Sequence, residues 1–213
     1  MSYGSSGPYG AYPPAQAQLP VVDGVTIGRT ASVDPRLWRR HEGDTFFGLD
    51  RADLVVTAQG YIQLDELTHI HRFYTDEEVM LQAGTGAASG GMADDLTIFH
   101  GLWSTQPASE WERRQFLDQI RRSQFTYQGV TWDRFWYDAI ESDQDPVTLW
   151  EAVYEDRSGH PTRHVAQTCM LYSRGLAAGG HEMLLALETM SAQGVPSQEL
   201  MIGLPLTRAE FHV

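Results

Sequence analysis

The sequence predicts an α+β fold that is mostly β: many short antiparallel strands, in a sandwich or partly closed barrel, with one or two helices packed on them. Three observations predict it. Short runs of alternating apolar and polar residues recur along most of the chain, punctuated by Gly, Pro, Asp and Ser. One segment, from Ser109 to about Ser123, couples a helix-start signal to helical spacing. No internal repeat is present, so the strands belong to one structure rather than to an array.

Residues 1–20, MSYGSSGPYGAYPPAQAQLP, are rich in Gly, Pro, Ser and Tyr and carry no charged side chain, the composition of a disordered tail. Residues 21–213 are expected to form a single β-rich domain, with a division into two sub-lobes near 105–125 left open. In VDPRLWRR, Asp34 reads as the N-cap and Pro35 as the first position of a short helix. Leu54 to Thr57 and Tyr61 to Asp65 read as two strands meeting in a tight turn at Gln59-Gly60. Thr68 to Tyr74 and Glu78 to Ala83 are the next strands, TGAASGG from Thr85 is a loop, and Leu96 to Trp103 returns to strand. Ser109 and Glu112 form an S-x-x-E capping box. Phe116, Leu117 and Ile120 share one arc of that helix; Arg114, Asp118, Arg121 and Arg122 take the other side. Val130 to Tyr137, Val147 to Tyr154 and His164 to Ser173 are strands. His181 to Met190 has the Leu and Met content of a helix and the flanking glycines of a strand. Ser197 to Leu206 closes the chain.

With 42% hydrophobic residues among 213, the chain can bury a substantial core. No apolar run approaches the roughly 18 residues that span a bilayer. The N-terminus lacks the basic and apolar regions of a cleavable signal, so direct membrane insertion is not expected and the cytoplasm is the expected location. A formal charge of −13 speaks against sequence-independent nucleic-acid binding, which relies on neutralising phosphates. All 15 basic residues are Arg, and the chain has neither Lys nor Asn, a bias that GC-rich codon usage produces. Whatever its cause, it excludes Schiff-base, P-loop and kinase-type lysines, N-glycosylation and Cys-His-Asn catalysis. Cys169 is the single cysteine, so an intrachain disulfide and a cysteine-only metal cluster are excluded. Its strand context reads as an inert core thiol. Without G-x-S-x-G or a Gly-rich phosphate loop, no cofactor is expected and no catalytic residue is assigned.

Chemistry-bearing residues concentrate between Gly60 and Gln82. On a strand His69 and His71 project from one face, a spacing that suits two metal ligands. His100, His164, Asp94 or Asp95 could supply a third. Without HExxH or a Cys/His ladder, a structural role for the histidines stands beside the metal one. Arg72 and Tyr74 share the other face with Ile70. Downstream, Glu151 alternates with Leu149 and Val153, while Trp150, Ala152 and Tyr154 fill the opposite face, the pattern of a central strand. A buried carboxylate has to be paired or protonated. Glu151 is therefore expected to meet Arg72 or Arg134 in a structural ion pair that fixes strand register; a catalytic acid is the alternative.

Asp133 to Asp156 holds eight carboxylates and one Arg among Trp132, Trp136 and Trp150. Lacking EF-hand spacing, it reads as a solvated acidic loop rather than a site for Ca²⁺ or a polyamine. Arg114, Arg121 and Arg122 form the one concentrated positive patch, either a docking face for an acidic partner or a solvated helix face paired with Asp118. Tyr3, Tyr9 and Tyr12 in the tail are further candidate partner contacts.

His71-Arg72-Phe73-Tyr74-Thr75-Asp76 followed by Leu81-Gln82 resembles a block of the YjfK-like bacterial family of unknown function. Collinear matches are Asp94-Asp95-Leu96 to Phe99, Ser109-Glu110-Trp111, Arg134-Phe135-Trp136, Pro146-Val147 with Leu149 and Glu151, Met170-Leu171-Tyr172 with Arg174, and Ile202-Gly203. The resemblance runs from about Val25 to Leu206 and excludes the tail. It implies no catalytic residues. It does imply a cytoplasmic protein encoded beside PspA-like coiled coils, small multi-pass membrane proteins and ATP-grasp ligases, hence an accessory role in envelope stress. The resulting expectation is a non-enzymatic adaptor or binding module, peripheral to the inner membrane through a PspA-like or membrane-protein partner. The alternative is a metal- or small-cation-binding protein or enzyme centred on His69, His71 and nearby carboxylates.

Overall fold

The computed structural model describes residues 19–137 and 141–213. Tyr3, Tyr9 and Tyr12 lie outside these residues. The first elements are β1 (Val21–Val22), β2 (Thr30–Val33) and the short helix α1 (Arg36–Arg39), whose first free N–H, that of Arg36, is taken by the Asp34 carboxylate at 2.9 Å. Then come β3 (Asp53–Gln63), β4 (His69–Thr75), β5 (Val79–Thr85), β6 (Gly90–Gly91), β7 (Asp95–Thr105) and helix α2 (Glu110–Gln119). The chain continues through β8 (Gln124–Tyr127), β9 (Val130–Arg134), β10 (Val147–Tyr154), β11 (Arg163–Gly175), β12 (His181–Met190), β13 (Pro196–Pro205) and β14 (Phe211–His212). Among the described residues no helix is long and apolar enough to cross a membrane.

Eight antiparallel strands close into a barrel in the order β3-β4-β5-β7-β13-β12-β11-β10, with β10 returning to β3. Alternation gives each strand an inner and an outer face. Every barrel strand contributes to one small apolar cluster that includes Ile62, Ile70, Met80, Phe99, Leu149, Cys169, Leu185 and Met201. A set drawn from the whole circle of strands marks the lumen. The larger core lies on the outside of the wall, where Tyr61, Phe73, Ile98, Tyr172, Leu184 and Ile202 are covered by the N-terminal segment, α2 and the β8–β9 hairpin.

Two fully or nearly buried carboxylates on the outer face of β12 hold these coverings in place. Glu182 accepts from the Thr45 hydroxyl (2.6 Å), the Phe46 amide (2.7 Å) and Arg174 Nε (2.7 Å). Glu188 receives Arg113 of α2 at 2.8 Å. Trp103 stacks on Phe116, and the Arg174 guanidinium lies over the Trp132 ring at 5.3 Å.

The architecture refines the sequence reading in several places. β3 runs unbroken through Gln59-Gly60, so Gly60 is not in a turn. His181–Met190, open between helix and strand in the sequence, is a strand, paired on both sides by β11 and β13. A strand precedes Val130, forming a hairpin through Gln128-Gly129. Helix α2 stops at Gln119 rather than near Ser123, because the Tyr172 hydroxyl takes the Ile120 carbonyl (2.9 Å) and the chain turns into β8.

Candidate functional site

Along the lumen the inward residues fall into three levels. At one end Ile62, Ile70, Phe99, Val147, Leu149, Cys169, Leu171 and Met183 fill the barrel with apolar side chains. At the middle, Arg72, Glu151 and Gln167 form a polar layer. Beyond it the lumen opens into a cavity of about 730 Å³, lined from all eight strands. Its wall is apolar at Met80, Val153, Val165, Leu185, Leu187 and Met201, and polar at Tyr74, Glu78, Ser104, Arg163, Thr189 and Glu199.

The polar layer is a closed network. Arg72 Nη1 donates to Glu151 Oε2 at 3.2 Å and to Gln167 Oε1 at 2.6 Å, and its Nε donates to Gln82 Oε1 at 2.9 Å. Gln167 Nε2 donates to Glu151 Oε2, and the Tyr74 hydroxyl donates to Glu151 Oε1 at 2.6 Å. Arg72 is 3% exposed and Glu151 0%, so neither charge is screened by bulk water. In such surroundings the pair persists only because its other lone pairs and protons are also engaged.

Gly60 makes this layer geometrically accessible. It is the register partner of Arg72 on one side and of Val153 on the other. A Cβ built at Gly60 would lie 1.6 Å from Glu151 Oε1. The missing side chain lets the carboxylate of β10 reach across β3 to the guanidinium and phenol of β4.

Electrostatics follow burial. Desolvation, the largest single influence, opposes the charge on Arg72, but Glu151 together with Tyr74 and Cys169 outweighs it and holds the guanidinium pKa above its ordinary value. Burial, reinforced by Glu151, raises the Tyr74 phenol well above its usual range. Burial pushes the Cys169 thiol up to about 11, which leaves it unreactive. Glu199, half-buried in the cavity wall, is also raised by desolvation.

The sequence-derived site residues separate. Arg72 and Glu151 meet in the lumen. Arg134 does not join them: β9 pairs with the outer stretch of β11 opposite Tyr172, and the Arg134 guanidinium donates to the carbonyls of Arg121 (3.2 Å) and Ser142 (3.0 Å). His69 and His71 face the outer core. His69 Nδ1 meets the Tyr61 hydroxyl at 2.9 Å, and His71 Nε2 meets Thr85 Oγ1 at 3.1 Å. Among the described residues no group of three or more His, Cys, Asp or Glu could hold a metal ion. Burial lowers the His71 imidazole to about 4, keeping it neutral.

Arg114, Arg121 and Arg122 do not share one helical face, since α2 ends before Arg121. Arg114 pairs with Glu110 at 3.3 Å and Arg121 with Asp145 at 3.0 Å, while Arg122 is exposed. Sequence reasoning missed Gln167, Glu199, Glu78 and the role of Gly60. Alternation within β11 and β13 does place Gln167 and Glu199 on apolar faces, and that signal could have found them.

Residues 13–212 match the profile of a family described as "Protein of unknown function (DUF2491)". The "Uncharacterized protein YjfK" of Escherichia coli (strain K12) is 25% identical over 203 residues, which cover 91% of this chain and 91% of that protein. No solved structure matches the chain.

Proposed function

The chain belongs to the DUF2491 family of proteins of unknown function, and for it we propose a binding role in which the open half of the barrel takes up one small amphiphilic molecule. The observation that carries this reading is the unfilled lumen. An eight-stranded barrel is just wide enough for its own side chains to fill or for one small ligand to enter. Here one half is filled and the other is a cavity of about 730 Å³, the size of small-molecule sites generally. Leaving it empty forfeits the dispersion contacts that close packing provides. Its apolar wall above a fixed polar floor suits a molecule with an apolar body and a polar end. Within the floor, Arg72, Glu151 and Gln167 satisfy one another, which suits a rigid platform for binding.

The test uses the neutral fluorophore 1-aminoanthracene. Saturable one-site uptake is expected, lost in Leu187→Trp and Val165→Trp, which place bulk in the cavity, and retained in Trp111→Ala on the outer surface. Uptake that survives both cavity-filling variants would remove the reading.

A second reading, favoured by one observation, is a cytoplasmic adaptor beside a PspA-like coiled coil, the setting that the family resemblance implies. Trp111 on α2 is 68% exposed, and Arg114 follows three residues later, one turn along the same helix; tryptophan and arginine are both enriched at interface hot spots. Purified PspA-like coiled coil should bind the wild-type chain and lose affinity for Trp111→Ala; equal binding to both would sink this second reading.

A further inference from the structure

The charges around the cavity do not balance. At the floor Arg72 and Glu151 neutralise each other. On the rim Arg163 is held by Glu155 at 3.3 Å. That leaves Glu78 and Glu199. Glu199 is half-buried and accepts only a long hydrogen bond, 3.4 Å, from Ser197. Arg72 attracts it but forms no ion pair with it, its Nε and Nη1 being turned to Gln82, Glu151 and Gln167. No arginine or histidine among the described residues lies within ion-pair distance of Glu78 or Glu199.

The two carboxylates belong to one stretch of wall. A Cβ added at Gly101 would sit 3.8 Å from Glu78 Oε2, so that carboxylate lies over Gly101. Gly101 is the register partner of Met201, and Glu199 is two residues from Met201 along β13. Their mutual repulsion contributes to the raised pKa of Glu199. Glu78 also holds a left-handed backbone, φ 56°, which a glycine or asparagine would adopt more readily. Glu78 is exposed to solvent at the mouth and Glu199 is half-buried, so it is the charge on Glu199, beside a second carboxylate and above the apolar surface of Met80, Leu185, Leu187 and Met201, that burial disfavours until a counter-charge arrives.

We infer that the molecule held in the barrel mouth carries a cationic group, a primary ammonium on an apolar body, received by the carboxylates of Glu78 and Glu199. This deepens the cavity reading and rests on it. The ammonium would supply three donors to the oxygens of two carboxylates, and its hydrocarbon would cover the methionines and leucines beneath.

The experiment is displacement of 1-aminoanthracene, or direct calorimetry, with three six-carbon probes: hexylammonium, hexanoate and hexanol. Hexylammonium is expected to bind at least about tenfold tighter than hexanoate. The double variant Glu78→Gln/Glu199→Gln should weaken hexylammonium by about tenfold or more and leave hexanol unchanged, which also shows that the variant is folded. Tighter binding of hexanoate, or hexylammonium affinity unaltered in the double variant, overturns the cationic assignment while the cavity reading stands. If none of the three probes binds and 1-aminoanthracene is not taken up, both fall together.

Discussion

At the scale of single residues, the most constrained position is a glycine whose backbone needs no glycine. Gly60 is absent from the residues with left-handed φ, yet a Cβ there would overlap Glu151. Gly60→Ala should therefore displace the carboxylate and strand Arg72 in the lumen, costing about 3–5 kcal/mol, the scale of breaking a buried pair. In a Glu151→Ala background the same change should cost less than about 1 kcal/mol, because the clash is gone. Urea denaturation of the four proteins measures the cycle; equal costs in both backgrounds would sink the packing explanation. The sequence made Glu151 and Arg72 legible, because a carboxylate alternating with apolar residues demands a cation. It did not reveal why Gly60 was there, since one glycine can mark a turn or a close approach, and only three-dimensional register separates them. His71 offers a second test. Its folded pKa, about 4, lies below the ordinary 6.5, so between these values the unfolded chain binds more protons than the folded one. Stability should accordingly fall as pH drops from about 6.5 to about 4, by a contribution on the order of 3 kcal/mol. Comparing urea midpoints over that range in wild type and His71→Gln isolates it, and an unchanged slope in the variant would refute it.

At the scale of elements, local signals served best where they were redundant. The Ser109 cap, with its Oγ accepting from the Glu112 amide at 3.2 Å, located the start of α2; its end depends on Tyr172 from a distant strand. At α1 the cap position falls on Pro35, one residue later than the sequence suggests, although the Asp34 carboxylate still takes the Arg36 amide. His181–Met190 was ambiguous because both of its faces are buried, outward in the large core and inward in the lumen, which erases the alternation that marks a strand. The β8–β9 hairpin escaped notice because its turn is Gln128-Gly129 rather than Asn-Gly. Both residues are left-handed, φ 49° and 81°, as a two-residue hairpin turn between right-twisting strands requires. Gly129→Ala should cost about 1 kcal/mol, and Gln128→Asn should gain about 0.5 kcal/mol, as asparagine tolerates that conformation better. Thermal melts of the two variants would show opposite shifts; a common sign would contradict the turn assignment.

At the scale of the whole molecule, a closed barrel is as strong as its shortest seam. β3 and β10 meet only through Gln59, Gly60 and Tyr61 opposite Tyr154, Val153 and Ala152, whereas β11 and β12 pair from Ala166–Met190 to Gly175–His181. The Glu151 network spans that short seam: its carboxylate leaves β10, crosses Gly60 of β3 and is received on β4 by Arg72 and Tyr74. The buried Arg72–Glu151 pair thus acts as a side-chain closure at this short seam, and it also forms the floor of the cavity. Opening the seam would unroll the barrel and destroy that floor, so ligand binding and barrel closure should be coupled. Hydrogen exchange followed by mass spectrometry tests this. In the wild-type chain, well below the unfolding transition, peptides covering 59–61 and 152–154 should exchange before those of β11 and β12. In Glu151→Gln, which keeps the shape but removes the charge, the seam peptides should lose protection first and by the largest factor, about tenfold or more. A ligand bound in the mouth should restore it by mass action. Equal protection of the seam and of β11–β12 in the wild type, or a uniform loss across the barrel in the variant, would show that closure does not depend on this network.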